Sequence, residues 1–310
     1  MKPYNENIEF KSIQDYLEYW KKFFREWKKG ESHQKKLLEN DKIWNDDKRK
    51  GNVWKTKKGK EKSTELEYDV LPQPYLGNIK NHTVITLNLN PSRSKKNDEN
   101  IEFEKNYLPK FKKAKIYHEY AESFPSYDTH PFWKKQDGWI DRIFKTTLGE
   151  EKLYRYDPKT KKNVKLKPFA IEICPWGSKS FQTLKIKKDD PLIKYMDHYV
   201  FDVIEKVIEY SKLKIVLSVG KAYYDIFNNK KTDFEPKEEI SYKNIPKGMD
   251  WPQTIDKKSG KDRDVKRTFS IWKKGKILYI NTYASGSNTP PAEHFNDIQN
   301  ELINKHLRFG

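Results

Sequence analysis

The chain has 310 residues, 35 % of them charged and 35 % hydrophobic, with a formal net charge of +18 and a pI near 9.4. That length fits one large α/β domain with insertions or two small domains, and an aromatic share of 14 % excludes a disordered polyelectrolyte. The charge favours a polyanionic partner, above all nucleic acid, although a lysine-rich source proteome would produce a similar balance. A single cysteine, Cys174, rules out an intrachain disulfide and a cysteine-based zinc site. No apolar run reaches membrane-spanning length and no signal-like apolar segment comes after Met1, so a cytoplasmic protein with no membrane partner is expected.

The first element in chain order is a helix over residues 12–29. Ser12 and Asp15 form a capping-box pattern, and Ile13, Tyr16, Leu17, Trp20, Phe23, Phe24 and Trp27 recur at helical spacing. Two readings stay open for it: a core helix with a lysine border, or a basic helix that stacks aromatics on DNA. Residues 30–66 are dense in charge, with five lysines between Lys55 and Lys62. Residues 1–66 are therefore read as a basic helical extension, and 67–310 as the main α/β domain.

Within that domain, short apolar runs at Thr83–Leu89, Phe169–Cys174, Lys214–Val219 and Ile277–Asn281 are expected strands. A helix is expected over 191–211, with Asp190 as its cap, Pro191 in its first turn, and Leu192, Met196, Val200, Val203, Val207 and Tyr210 on its apolar face. A second helix is expected at Lys221–Phe227. Thr268–Trp272 and Ile277–Asn281 read as a hairpin, and residues 228–267 as a charged insertion. Strands alternating with helices predict a doubly wound α/β/α core around a short, mostly parallel sheet.

Ligands of such sheets bind beyond the carboxyl ends of the strands. Four loops fall there: Asn88 to Ser94, Cys174 to Ser178, Val219 to Lys221, and Asn281 to Asn288. The chain lacks a P-loop and a Gly-x-Ser-x-Gly elbow, and Glu172-Ile173-Cys174 lacks the lysine of a strand-borne metal nuclease motif. His130-Pro131-Phe132-Trp133 reads as a structural histidine among aromatics.

The first and last of the four loops carry a resemblance. Asn88-Leu89-Asn90-Pro91-Ser92-Arg93-Ser94 resembles the Gly-x-Asn-Pro-Gly motif of the uracil-DNA glycosylase superfamily, closest to its mismatch-specific branch. Tyr283-Ala284-Ser285-Gly286-Ser287-Asn288 is similar to that branch's late Asn-Pro-Ser-Gly-x-Ser motif. Ile215 to Ala222 looks like its third strand and glycine turn. The chain departs from the pattern at Asn88 and Ser92, which replace glycines, and at Tyr283 and Ala284, which replace His or Asn and Pro.

The resemblance implies a metal-free hydrolase acting on the N-glycosidic bond of a flipped base in DNA, with no small-molecule cofactor. Asn90 would position the attacking water and Tyr283 would donate to the base or stack on it. Ser285, Gly286 and Ser287 would grip phosphates, with Asn88, Ser92 and Arg93 lining the pocket. Trp176 is either a stacking wall or a core residue. Where the uracil-specific branch has a Tyr gate after the Asp-Pro pair, this chain has Ser92 and then Arg93. A bulky or modified base, such as a modified pyrimidine, is therefore expected, in either repair or defence against foreign DNA. The rival readings are an inactive nucleic-acid-binding protein and a nuclease with an unrecognised site.

Overall fold

Ser12 is extended and accepts from the backbone N–H of Asp15, whose carboxylate accepts in return from the Ser12 N–H, so the capping box closes at the start of helix α1 (Ile13–Trp27). A second helix, α2 (Glu31–Glu39), comes after Gly30. The computed structural model describes residues 9–41, 43–44, 54–55, 61–62, 66–68, 71–89, 121, 131–178, 191–229, 232–255, 259–284, 290–291 and 295–308. Asp190 and most of the lysine segment from Lys55 to Lys62 lie outside them.

Seven strands form the main sheet: β1 (Tyr75–Leu76), β2 (Ile85–Asn88), β3 (Phe169–Glu172), β4 (Ile215–Val219), β5 (Glu235–Ser241), β6 (Arg267–Lys274) and β7 (Ile277–Ala284). Their order is β5-β6-β7-β4-β2-β3-β1. The central part is mostly parallel, with β4 and β7 paired from Ile215↔Leu278 to Val219↔Thr282. Antiparallel pairs close both edges: β1 on β3, and β5 on β6 on β7. β2, β3 and β4 are buried at every position, which is why they read as short apolar runs rather than as alternating ones. The protein is thus an α/β chain with the expected mostly parallel central sheet and N-terminal helices.

The chain divides into two compact units, the first comprising Met1–Lys80, Leu87–Pro125 and Phe169–Glu209. Its core is aromatic. The buried stripe of α1 is Tyr16, Tyr19, Trp20, Phe23, Phe24 and Trp27. Phe23 meets Trp176 edge-on at 5.9 Å, Tyr16 leans on Tyr75 at 5.7 Å, and Tyr75 stacks on Phe169 at 5.6 Å. The α1 aromatics are therefore core residues, and the DNA-stacking alternative for them falls. Helix α1 is thus not an appendage, because it shares this core with β1 and β3.

The same unit holds α4 (Pro191–Met196) and α5 (Asp202–Val207), joined by a π turn at Asp197–Phe201. That wider turn rotates the helical face after it. Leu192, Met196, Val200, Val203 and Val207 are buried as expected, but Tyr210 ends in a short 3₁₀ segment with its ring exposed.

The second unit comprises Asn81–Thr86, Ser126–Pro168 and Tyr210–Gly310. Its core packs helix α3 (Pro131–Thr147) and helix α7 (Asn296–Arg308) with β4, β6 and β7, through residues such as Trp139, Phe144, Leu217, Ile271, Ile280 and Ile303. Helix α6 (Lys221–Phe227) starts after Gly220, whose φ of +141° suits a residue without Cβ. The 228–267 insertion contains β5, which bulges between Pro236 and Glu238, and a small hairpin of Gln253–Ile255 with Asp262–Asp264. A second hairpin pairs Tyr154–Asp157 with Lys162–Lys165.

Since Phe23 is fully enclosed, Phe23→Ala is expected to lower the unfolding free energy by about 3–5 kcal/mol. Urea titration monitored by tryptophan fluorescence measures it. A main transition that does not move would mean that α1 folds apart from the sheet.

Candidate functional site

The end of β3 bears the one acidic residue of that strand, Glu172, 5 % exposed in an otherwise apolar setting. Next to it, at the end of β2, Asn88 donates from Nδ2 to Glu172 Oε1 at 3.1 Å. The backbone locks the two ends together, Ile173 N–H donating to Asn88 C=O at 2.9 Å and Cys174 N–H to Leu89 C=O at 2.8 Å. The second carboxyl oxygen, Oε2, is buried without a hydrogen-bond partner. Burial pushes the Glu172 carboxyl up to about 8, and the Asn88 hydrogen bond offsets only part of that. At neutral pH Glu172 therefore carries a proton, and Asn88 has its amide nitrogen committed to holding it.

The loop beyond β3 is pinned. Gln73 N–H donates to Pro175 C=O at 2.7 Å, and the Cys174 thiol faces Trp176 C=O at 3.7 Å. Trp176 is 0 % exposed and donates from Nε1 to Asp41 Oδ2 at 3.1 Å. This decides between its two readings: Trp176 is a core residue, since its ring is fully covered and no face is left for a base.

The second unit has polar groups on both faces of the sheet at the carboxyl ends of β4 and β7. Ser218 Oγ donates to Asn281 Oδ1 at 3.0 Å, and Asn281 Nδ2 is buried without a partner. Arg267 donates to Thr282 Oγ1 at 3.2 Å, and its guanidinium lies 5.6 Å from the Phe295 ring centre. Burial lowers the Arg267 pKa to about 10, so the group stays cationic at neutral pH. Gly220 N–H donates to Thr282 C=O at 2.9 Å, tying the turn after β4 to β7. Tyr283 shares its face of β7 with Asn281, opposite Thr282, and is half-buried, 5.5 Å from the Tyr224 ring. The Tyr224 hydroxyl in turn donates to Glu239 at 2.8 Å.

Of the residues singled out from sequence, Asn88 and Trp176 lie in the first unit and Tyr283 in the second. Asn90, Ser92, Arg93, Ser285, Gly286 and Ser287 lie outside the described residues. From sequence, Glu172 counted only toward a nuclease motif that lacks its lysine, and Arg267 carried no signal. The available signal for Glu172 was a lone carboxylate in the apolar run Phe169-Ala170-Ile171-Glu172-Ile173-Cys174. Among the described residues no three His, Cys, Asp or Glu side chains cluster as metal ligands would, and no helix is long and apolar enough to cross a membrane. No protein family, curated protein or solved structure matches this chain.

The proton on Glu172 has a sign that can be tested. Its pKa is raised on folding, so the folded state binds more protons between the ordinary carboxyl value of 4.5 and about 8. Stability contributed by this group is full below 4.5 and falls as pH rises through that window, by up to about 1.4 kcal/mol per unit. Glu172→Gln keeps the acceptor for Asn88 and cannot ionise. Thermal unfolding from pH 5 to 9 should show a flatter profile for the variant and a higher Tm than the parent at pH 8.5. Parallel profiles would mean that Glu172 is solvated.

Proposed function

We propose that the chain is a DNA glycosylase that hydrolyses the N-glycosidic bond of a modified or non-standard base. The observation that carries this reading is the Asn88–Glu172 pair, a neutral buried acid at the end of β3 held by an Asn88 that stands two residues before Asn90-Pro91-Ser92. That is the loop whose sequence resembles the water-positioning motif of the uracil-DNA glycosylase superfamily. A net charge of +18 supports a DNA partner.

In the proposed reaction the C1′–N bond breaks with its electron pair leaving on the base, and the Glu172 proton passes to the base. Water held by Asn90 adds to C1′, and the proton that it releases restores Glu172. The reaction needs no metal or cofactor. In the resembled family the positions of Tyr283, Ser285, Gly286 and Ser287 contact the base and a phosphate, and the same roles are proposed for these residues. The small Ser92 where the uracil-specific branch has a Tyr gate, with Arg93 after it, supports a substrate larger than uracil. On that substitution a bulky modified pyrimidine is the proposed substrate. Repair and defence against modified foreign DNA both require such an enzyme.

Single-turnover excision on duplexes carrying uracil, 5-hydroxymethylcytosine or its glycosylated form tests the reading. Alkali-labile abasic sites are expected, fastest on a modified base and unchanged in excess EDTA. Direct strand cleavage would indicate a nuclease, and binding without either product an inactive binder. Faster release of uracil than of both modified bases would overturn the open-pocket specificity alone. Asn90→Ala should slow excision by about 10²–10³ while DNA affinity stays within a few fold. If Asn90→Ala and Glu172→Gln both excise at the parental rate, the loop and the buried acid are not the active centre.

A further inference from the structure

The hairpin Tyr154–Asp157/Lys162–Lys165 is built as a rigid projection, and it takes no part in the Asn88–Glu172 pair or the Arg267 cluster. Its base is anchored. Lys165 donates to Asp137 Oδ2 at 2.8 Å and to Asp141 Oδ2 at 2.7 Å, both on α3. Leu166 N–H donates to Leu153 C=O at 2.7 Å, and both of those leucines are buried. The Arg155 guanidinium meets the Asn81 side-chain oxygen. Its tip is fixed as well. Asp157 accepts from the Lys159 N–H at 3.0 Å and from the Thr160 hydroxyl at 2.8 Å, and Lys161 takes a left-handed φ of +54° to close the turn.

Such a staked hairpin would ordinarily cover something apolar. Here it presents large rings to solvent: Tyr154 is 42 % and Tyr156 58 % exposed. The two tyrosines are two residues apart on one strand and so share one face. From Lys152 to Lys167 the segment holds seven Lys or Arg and one acid, Asp157. Lys159, Lys161 and Lys162 at the tip are all exposed. Two residues along a strand span about 6.8 Å, twice the roughly 3.4 Å rise per nucleotide of a stacked strand. The rings can therefore each take a base that has opened away from its neighbour, while the tip cations meet the phosphates. Duplex DNA hides its base faces, so the pattern selects unpaired nucleotides.

We propose that this hairpin is a second binding surface, for single-stranded DNA, on which Tyr154 and Tyr156 stack bases and Lys159, Lys161 and Lys162 hold the backbone. It rests on the reading of the chain as an enzyme of DNA, and it adds that the substrate includes an unpaired stretch.

The test uses the full chain and fluorescence anisotropy with a labelled dT20 and a matched 20-base-pair duplex. Tyr154→Ser/Tyr156→Ser should weaken dT20 binding by roughly ten-fold or more and change duplex binding by less than about three-fold. Tyr154→Trp/Tyr156→Trp should retain dT20 binding. Changing Lys159, Lys161 and Lys162 to Gln should reduce the slope of log affinity against log salt by about 2, three lost contacts at about 0.7 each. All these side chains are exposed, so circular dichroism should match the parent. If a tyrosine variant fails to fold, the lysine variant decides alone. Parental dT20 affinity in the serine variant, or an unchanged salt slope in the lysine variant, overturns the proposal. So does loss of binding to phosphatidylserine vesicles with dT20 binding intact, which would make the hairpin a membrane contact. A parent chain that releases no base, while the tyrosines still govern dT20 binding, would sink the glycosylase reading and leave the hairpin standing. A parent that binds no nucleic acid sinks both.

Discussion

The hydrogen bond from Trp176 to Asp41 is the contact on which the first unit depends. A carboxylate 2 % exposed is costly unless its oxygens are satisfied, and Asp41 satisfies them by accepting from Ile43 N–H, Trp44 N–H and Trp176 Nε1. One acid thereby fixes both the chain that leaves α2 and the loop that leaves β3. Trp176 then serves as the floor under Phe23 of α1. With the loop held from both sides, the end of β3 is fixed in place, and with it Glu172 and the Asn88 that is bonded to it.

Glu172 shows the opposite arrangement. It has one hydrogen bond where Asp41 has three, and one of its oxygens has none. A buried carboxyl so poorly served keeps its proton instead of its charge. An isosteric amide would stabilise that position above neutral pH, so the acid is held at a cost to the fold. Strained or under-satisfied groups concentrate where chemistry is done, and this one is bonded to Asn88 at the end of the neighbouring strand.

Much of the architecture was legible because it rests on local signals. The Ser12 and Asp15 box, the α1 aromatics, and helix Lys221–Phe227 all came from spacing and capping chemistry, and the apolar runs marked β2, β3 and β4. The missed elements have equally physical causes. Helix α3 begins at Pro131, within His130-Pro131-Phe132-Trp133, where the aromatics drew attention away from the Trp139, Ile140, Ile143 and Phe144 spacing behind them. The Tyr154–Lys165 hairpin has no buried face within its strands, so no alternation announces it. Tyr210 left its expected face because one π turn adds a residue that no propensity scale registers. The candidate site was legible only in part. Asn88 was found by motif, but the meaning of Glu172 depends on a strand neighbour 84 residues away.

Strand β5 lies at the border of the sheet, where unpaired N–H and C=O groups invite another strand to add on. Its sequence, Glu235-Pro236-Lys237-Glu238-Glu239, removes one donor with Pro236, bulges after it, and sets three carboxylates along the rim of an otherwise cationic chain. Lys305 and His306 of α7 both clasp Glu238 and hold the bulge in place. The border is thus a poor template for fibril growth, its missing donor and bulge interrupting the ladder that another strand would extend.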